Sequence, residues 1–111
     1  MGLASRNKGK SGEREARDQV KEVWNCPDCF RSAQACGSYS ADLLGGPPGL
    51  HLEVKRYKRI VAADFMTQAS EDAKDDEVPV VLMREDSGKW LVMVRMEDTP
   101  KFAERIRMAL G

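Results

Sequence analysis

The sequence predicts an α/β domain in which a mixed β-sheet is flanked by helices. Three stretches predict it: a helical period of apolar residues after Ser11, alternating apolar and polar residues from Leu50 to Tyr57, and the almost wholly apolar run Val78–Met83. A run of the last kind is typical of a strand buried on both faces, which pairs in parallel with a strand reached through a helical crossover. The predicted order of elements is therefore α, β, β, β, α, β, β, α.

The first half of the chain begins with small and basic residues, so residues 1–10 are expected to form a flexible basic arm and residues 11–111 one domain. Ser11 is the expected N-cap of the first helix, which ends before Pro27. Short strands are expected at 30–33 and 42–44. The Gly/Pro turn at 45–49 then leads into the strand Leu50–Tyr57, paired antiparallel with the strand before it.

The second half begins with a helix from Val61 to about Lys74 and continues with the strand Val78–Met83. A turn at 85–88 leads to a strand at 90–94. Thr99 is expected to cap the last helix, with Pro100 at its first position. The expected buried face of that helix consists of Phe102, Ile106 and Leu110.

The bulk composition favours a folded protein that binds a polyanion. Hydrophobic residues make up 41% of the chain, and the absence of a long apolar run or signal-like segment predicts a cytoplasmic protein (host cytoplasm if phage-encoded). The net charge is zero, but residues 1–60 carry 11 basic and 7 acidic residues, whereas residues 61–111 carry 7 and 11. The basic half is expected to attract nucleic acid.

The candidate site lies on the strand Leu50–Tyr57 and the residues before it. Alternation turns Leu50, Leu52 and Val54 toward a core, and places His51, Glu53 and Lys55 together on the other face. Asp42 lies just across the turn. Two carboxylates beside an amine suit Mg²⁺-assisted phosphodiester cleavage, in which the metal activates a water and the lysine stabilises developing charge. Glu-x-Lys alone is common, and a plain Glu–Lys pair on a strand surface explains it equally well.

A third acid on the first helix strengthens the prediction of a site. Helical phase places Glu13 on the stripe that carries Ala16 and Val20, and it places Glu15 nearly opposite, toward solvent. An inward carboxylate needs a partner or a function. Service to the helix dipole alone is the alternative interpretation of Glu13.

These motifs resemble those of the PD-(D/E)XK nuclease superfamily, and more closely those of Holliday junction resolvases of the archaeal and phage type. The similar segments are G-K-S-G-E-R at 9–14, S-A-D-L-L-G at 40–45, G-L-H-L-E-V-K-R at 49–56 and M-T-Q-A-S-E-D-A at 66–73. The resemblance covers most of the chain and implies a restriction-endonuclease-like core. Ala41 departs from the family by standing where a proline precedes the Asp.

The resemblance implies a role for each site residue. Asp42, Glu53 and the backbone carbonyl of Val54 would bind one or two Mg²⁺ ions, with Mn²⁺ as a substitute, and Glu13 would assist directly or through water. Lys55 would be the catalytic lysine. A loop serine, Ser38 or Ser40, would be auxiliary. Family members are homodimers that cut opposed strands of a four-way junction.

Further residues are candidates for supporting roles. His51 is a candidate for contact with phosphate or a water, and Gln68 for a place near the site, although a structural role explains each of them as well. The expected contacts with the DNA backbone are cationic or aromatic side chains: Arg6, Lys8, Lys10, Arg56, Tyr57, Lys58 and Arg59.

Cys26, Cys29 and Cys36 are expected to be reduced thiols, which is the default in a cytoplasmic protein. A structural zinc site takes four ligands, so the fourth would have to be His51 or an acid. The acid–lysine set predicts a Mg²⁺-dependent endonuclease, and the resemblance implies that it resolves four-way junctions and leaves 5′-phosphate and 3′-hydroxyl ends. A nuclease of the same fold that cuts flaps or nicked DNA, and a non-catalytic DNA-binding module with a zinc-stabilised loop, are the alternatives.

Overall fold

The computed structural model describes the backbone of residues 3–32, 41–57 and 61–111, and the side chains of these residues from Lys10 onward except Tyr57. The elements in chain order are helix α1 (Leu3–Val23), strands β1 (Phe30–Arg31), β2 (Leu43–Leu44) and β3 (Leu50–Tyr57), helix α2 (Ala62–Asp72), strands β4 (Val78–Glu85) and β5 (Leu91–Val94), a 3₁₀ turn (Met96–Asp98) and helix α3 (Thr99–Leu110).

The described strands form one sheet in the spatial order β1-β2-β3-β4-β5. β1 pairs antiparallel with β2, β2 pairs antiparallel with β3, and β5 pairs antiparallel with β4. β3 and β4 are parallel because α2 carries the chain back across the sheet between them. This arrangement confirms the predicted mixed sheet and the helical crossover, and β3 has the predicted bounds Leu50–Tyr57.

The core divides into two clusters, one on each face of the sheet. Ala16 and Val20 of α1 pack against Leu52 and Val54 of β3, and Phe102 of α3 packs against the same cluster. The opposite face is covered by α2, whose apolar residues meet alternate residues of β4: Phe65, Ala69, Val81 and Met83. β4 is therefore buried on both faces, as its apolar run predicts.

The prediction that α1 begins near Ser11 is wrong, since α1 begins at Leu3 and residues 3–10 continue the helix. Leu3, Ala4 and the basic residues that follow are good helix formers, and their propensity outweighs Gly9. Ser11 is thus inside the helix, where its hydroxyl accepts a hydrogen bond from Arg56 Nη1 at 3.4 Å instead of capping.

Two details of α3 also differ from expectation. Thr99 does not cap the helix, because the 3₁₀ turn runs directly into α3 and the Thr99 hydroxyl donates to the Met96 carbonyl at 2.6 Å. Leu110 is 51% exposed, whereas Phe102 and Ile106 pack partly against the core. Among the described residues, no helix is long and apolar enough to cross a membrane.

Candidate active site

Asp42 and Glu53 meet where the chain enters β2 beside β3. The turn at 45–49 folds β2 back on β3, so that the Asp42 amide donates to the Leu52 carbonyl at 2.9 Å. The Asp42 side chain turns toward β3, and its Oδ2 accepts a hydrogen bond from the Val54 amide at 2.9 Å. Glu53 lies on β3 between these two contacts and is only 3% exposed. The hairpin therefore holds two carboxyl groups together in a largely buried place.

The electrostatics of the pair are unfavourable without a cation. Burial, followed by the negative charge of Glu53, raises the pKa of Asp42 from its ordinary 3.8 to about 7. The Val54 amide opposes this rise by its hydrogen bond, and the charge of Glu13 adds to it. Asp42 and Glu53 thus share a site in which a proton or a metal ion relieves their repulsion.

The donor set fits a hard cation that keeps part of its water shell. Mg²⁺ in proteins is commonly held by one or two carboxylates, with waters and substrate phosphates completing its coordination. Asp42 and Glu53 supply two carboxylates, and their mutual repulsion favours a divalent ion. Across residues 10–32, 41–56 and 61–111, no group of three or more His, Cys, Asp or Glu side chains is arranged to hold a metal. The Val54 carbonyl remains a predicted further ligand.

Lys55 lies on the α2 side of the sheet, on the same strand face as Glu53. Its Nζ donates to Gln68 Oε1 at 2.7 Å and lies 5.8 Å from the centre of the Phe65 ring. Both partners belong to α2, which packs over this face. Gln68 is therefore near the site, as expected, and its contact holds the amine of Lys55 in place.

Glu13 lies at the other side of the acid pair, on α1. Its Oε1 accepts a hydrogen bond from Arg31 Nε of β1 at 3.1 Å, and the carboxylate is 25% exposed. The negative charge of Glu13 is one of the causes that raise the pKa of Asp42. The structure thus brings the third acid close to the pair, and Arg31 is a neighbour that sequence reasoning missed.

Glu15 is more exposed than Glu13, at 40% against 25%, but it also pairs with two arginines that sequence reasoning missed. Glu15 Oε2 lies 3.0 Å from Arg84 Nη2 of β4, and Oε1 lies 3.7 Å from Arg56 Nη1 of β3. These strand residues lie under α1, where Gly12 lets the helix approach so closely that a Cβ there would be 3.0 Å from Arg56 Cβ. Glu15 therefore neutralises two partly buried arginines, a structural role.

His51 is buried and does not reach the surface. The residue is 1% exposed, with Nε2 2.7 Å from Glu53 Oε1 and Nδ1 3.6 Å from Glu77 Oε1. Burial lowers the pKa of His51, but the hydrogen bond and charge of Glu53, helped by Glu77, outweigh burial and raise it. Of the two interpretations of His51, the structural one fits this burial, and a ring this deeply buried is too far from the surface to contact a DNA phosphate.

Known proteins give little further guidance. No family model matches the chain, and no curated protein matches it significantly. Among solved structures, the chain is similar to Hjc, a Holliday junction resolvase of the archaeal hyperthermophile Archaeoglobus fulgidus. The two share 24% identity over 73% of each chain, with a TM-score of 0.49. A likeness at this level carries no conclusion about fold or function, which rest on the residues of the chain itself.

The predicted DNA contacts are only partly within the described region. Lys10 is exposed on α1. Arg56 is on the α1 side of the sheet, facing Ser11 and Glu15, and not beside Glu53. That position argues against direct DNA contact by Arg56, since its charge is already paired. The remaining predicted side chains lie outside the described residues: Arg6, Lys8, Ser38, Ser40, Tyr57, Lys58 and Arg59.

Cys26 and Cys29 are free thiols of the core below α1. The Cys26 thiol donates to the Trp24 carbonyl at 3.3 Å, and burial raises the pKa of both cysteines. A raised thiol pKa means that less of the metal-binding thiolate is present at neutral pH. Cys36, the third predicted cysteine, lies outside the described residues.

Proposed function

We propose that this protein is a divalent-metal-dependent endodeoxyribonuclease of the PD-(D/E)XK type. One observation carries the proposal: the carboxyl groups of Asp42 and Glu53 lie close enough together, and are buried enough, to raise the pKa of Asp42 to about 7, and Lys55 follows Glu53 on the same face of β3. A plain Glu–Lys surface pair does not explain this arrangement. Lys55 pairs with Gln68, and Glu53 is buried against Asp42 and His51.

Each residue has a defined task in this proposal. Asp42 and Glu53 hold Mg²⁺, which, when bound, supplies an acidic water and neutralises charge on the scissile phosphate. Lys55, held by Gln68, places a positive charge where negative charge develops on the phosphate oxygens. The charge of Glu13 contributes to the raised pKa of Asp42. In this proposal the exposed part of the Glu13 carboxylate orients a water. Hydrolysis would leave 5′-phosphate and 3′-hydroxyl ends.

The preferred substrate is proposed to be a four-way DNA junction. Its support is the resemblance of the Glu13, Asp42 and Glu53–Lys55 segments to those of junction resolvases, together with the basic balance of residues 1–60. One site cuts one strand at a time, so paired cleavage of a junction requires two copies of the chain in a symmetric dimer. A homodimer is therefore part of the proposal.

The test is a cleavage assay on an immobile four-way junction, with Mg²⁺, with Mn²⁺ and with EDTA, beside a linear duplex of the same sequence. The expected result is metal-dependent cutting of the junction in opposed strands and little cutting of the duplex. Labelled flap and nicked substrates in the same assay measure the alternative substrate preference. Junction binding with no metal-dependent product from the wild type would contradict the proposal and favour a non-catalytic DNA-binding module.

Two variants connect the activity to the acid pair. Asp42→Asn and Glu53→Gln keep the size of each side chain but remove the charge that holds Mg²⁺. Each is expected to reduce cleavage by at least about a hundredfold, since metal-dependent charge stabilisation of the transition state is lost. Gel-shift measurements should find junction binding largely unchanged. Normal cutting by either variant would refute the assignment of the site.

A further inference from the structure

His51 is buried between two carboxylates from different parts of the chain. The residue is 1% exposed; Nε2 lies 2.7 Å from Glu53 Oε1 and Nδ1 lies 3.6 Å from Glu77 Oε1. A carboxylate oxygen only accepts hydrogen bonds, so the N–H of Nε2 is the donor of the hydrogen bond to Glu53 Oε1. One oxygen of Glu53 is thereby engaged by His51 in the protein interior, while the carboxyl group also interacts with Asp42.

Glu77 is itself held in place by the turn between α2 and β4. Its Oε1 accepts a hydrogen bond from the Lys74 amide at 2.9 Å, and its own amide donates to the Lys74 carbonyl at 3.0 Å. This turn leads directly into β4, which pairs in parallel with β3, so that His51 is in register with Pro79. A continuous line of contacts therefore runs from the backbone of this turn through Glu77 and His51 to Glu53.

A purely structural role explains this line poorly. The imidazole of His51 and the carboxylate of Glu53 are costly to bury, while Glu77 is 27% exposed, and apolar side chains of similar volume are often as stable or more stable in buried places. The neighbouring positions of the same face in β4, Val81 and Met83, are apolar. His51 is thus a buried polar residue on an otherwise apolar part of this face, and its hydrogen bond orients the Glu53 carboxylate.

We propose that His51 is a positioning residue, which fixes the carboxylate of Glu53 so that one of its oxygens faces a divalent cation shared with Asp42. The inference rests on the proposed metal-dependent nuclease function, and it identifies His51 as the group that orients the Glu53 carboxylate toward the metal. Residues that orient a metal ligand through a hydrogen bond typically change metal affinity 10- to 100-fold when they are replaced.

The test measures binding of Mn²⁺ to the intact protein by calorimetry without DNA, so that it does not depend on cleavage. His51→Leu fills the volume but has no donor, and it should weaken Mn²⁺ binding roughly 10- to 100-fold. His51→Gln retains an amide that can donate to Glu53, and it should recover a large part of this loss. Glu77→Gln keeps the bond to the Lys74 amide but loses the charge facing His51, and should weaken binding less than His51→Leu.

A matched control separates positioning from general loss of stability. Val80→Ala removes packing at a fully buried position of β4, on the α1 side of the sheet. It should lower the midpoint of urea unfolding but leave Mn²⁺ affinity unchanged. If His51→Leu does not fold, Glu77→Gln still decides, because full wild-type affinity in this variant would overturn the positioning role.

The outcomes distinguish the two proposals. Wild-type protein that binds Mn²⁺ and cuts junctions, with His51→Leu binding Mn²⁺ equally well, would overturn the role of His51 alone. Wild-type protein that neither binds Mn²⁺ nor cuts DNA would overturn the proposed function, and the inference about His51 with it. Weakened binding in His51→Leu with partial recovery in His51→Gln supports both.

Discussion

Replacing Asp42 by Asn should stabilise the metal-free protein at neutral and alkaline pH. Asp42 has a pKa of about 7 in the folded chain against an ordinary 3.8, so the folded chain keeps this proton over a pH range in which the unfolded chain has lost it. Stability from this group is therefore fully present below pH 3.8 and declines as the pH rises toward 7. Asn carries no charge at any of these pH values and escapes the decline, while its carbonyl can still accept from the Val54 amide.

The expected size follows from the two pKa values. One pKa unit corresponds to about 1.4 kcal/mol, so the whole interval from 3.8 to about 7 corresponds to about 4 kcal/mol at most. About two units of this interval lie above pH 5. The advantage of Asp42→Asn over the wild type should thus grow by about 3 kcal/mol between pH 5 and pH 8, which is roughly 12 °C in Tm for a domain of this length.

The assay is urea unfolding followed by circular dichroism at pH 5, 6, 7 and 8, with EDTA present. Asp75→Asn is the matched control, because it removes one carboxylate at an exposed position of the turn between α2 and β4. Adding Mg²⁺ at pH 8 should stabilise the wild type and leave Asp42→Asn unchanged, since the ion binds the folded acid pair. A difference between wild type and Asp42→Asn that is constant from pH 5 to pH 8 would refute the electrostatic account of the pair.

Two further predictions separate chemistry from structure at the flanks of the acid pair. Lys55→Ala should reduce junction cleavage roughly 10²- to 10³-fold in single-turnover assays, because the proposed charge at the reacting phosphate is lost. Gln68→Ala should reduce cleavage less, since it only releases the amine of Lys55. A larger effect of Gln68→Ala would argue against Lys55 as the acting group. Glu13→Gln should reduce cleavage roughly 10- to 100-fold with little change in Tm. Glu15→Gln, in contrast, should leave cleavage nearly intact. It should lower the free energy of unfolding by about 1 kcal/mol, since Arg84 loses a charged partner. Equal effects of these two variants on cleavage would contradict the different roles of the two acids.

The parts of this fold that the sequence predicts are those set by local patterns. Alternation along Leu50–Tyr57 is strict, and the structure has a strand with these bounds. The apolar run at Val78–Met83 has no polar side chain that could face water, which leaves burial on both faces as the stable solution. The meeting of Asp42 with Glu53 is also predictable, because only a short turn separates their strands.

The parts that the sequence does not predict depend on contacts between distant segments. Helical phase alone places Glu15 toward solvent, but Arg84 is 69 residues away along the chain and its approach follows from the order of the strands. The burial of His51 depends in the same way on the parallel register that brings Glu77 beside β3. A polar residue on the α2 side of the sheet could equally have faced solvent, and no local pattern distinguishes the two outcomes.

The close spacing of Asp42 and Glu53 on one hairpin has a consequence for how the protein folds. The entropic cost of bringing two residues together rises with the length of chain between them, so these two meet more cheaply than Glu13 meets Arg31, which lies 18 residues away. Their repulsion therefore acts as soon as the hairpin closes and slows this early step at alkaline pH. If the pair binds a divalent ion as proposed, that ion should accelerate hairpin closure in stopped-flow refolding at alkaline pH, before any substrate is present.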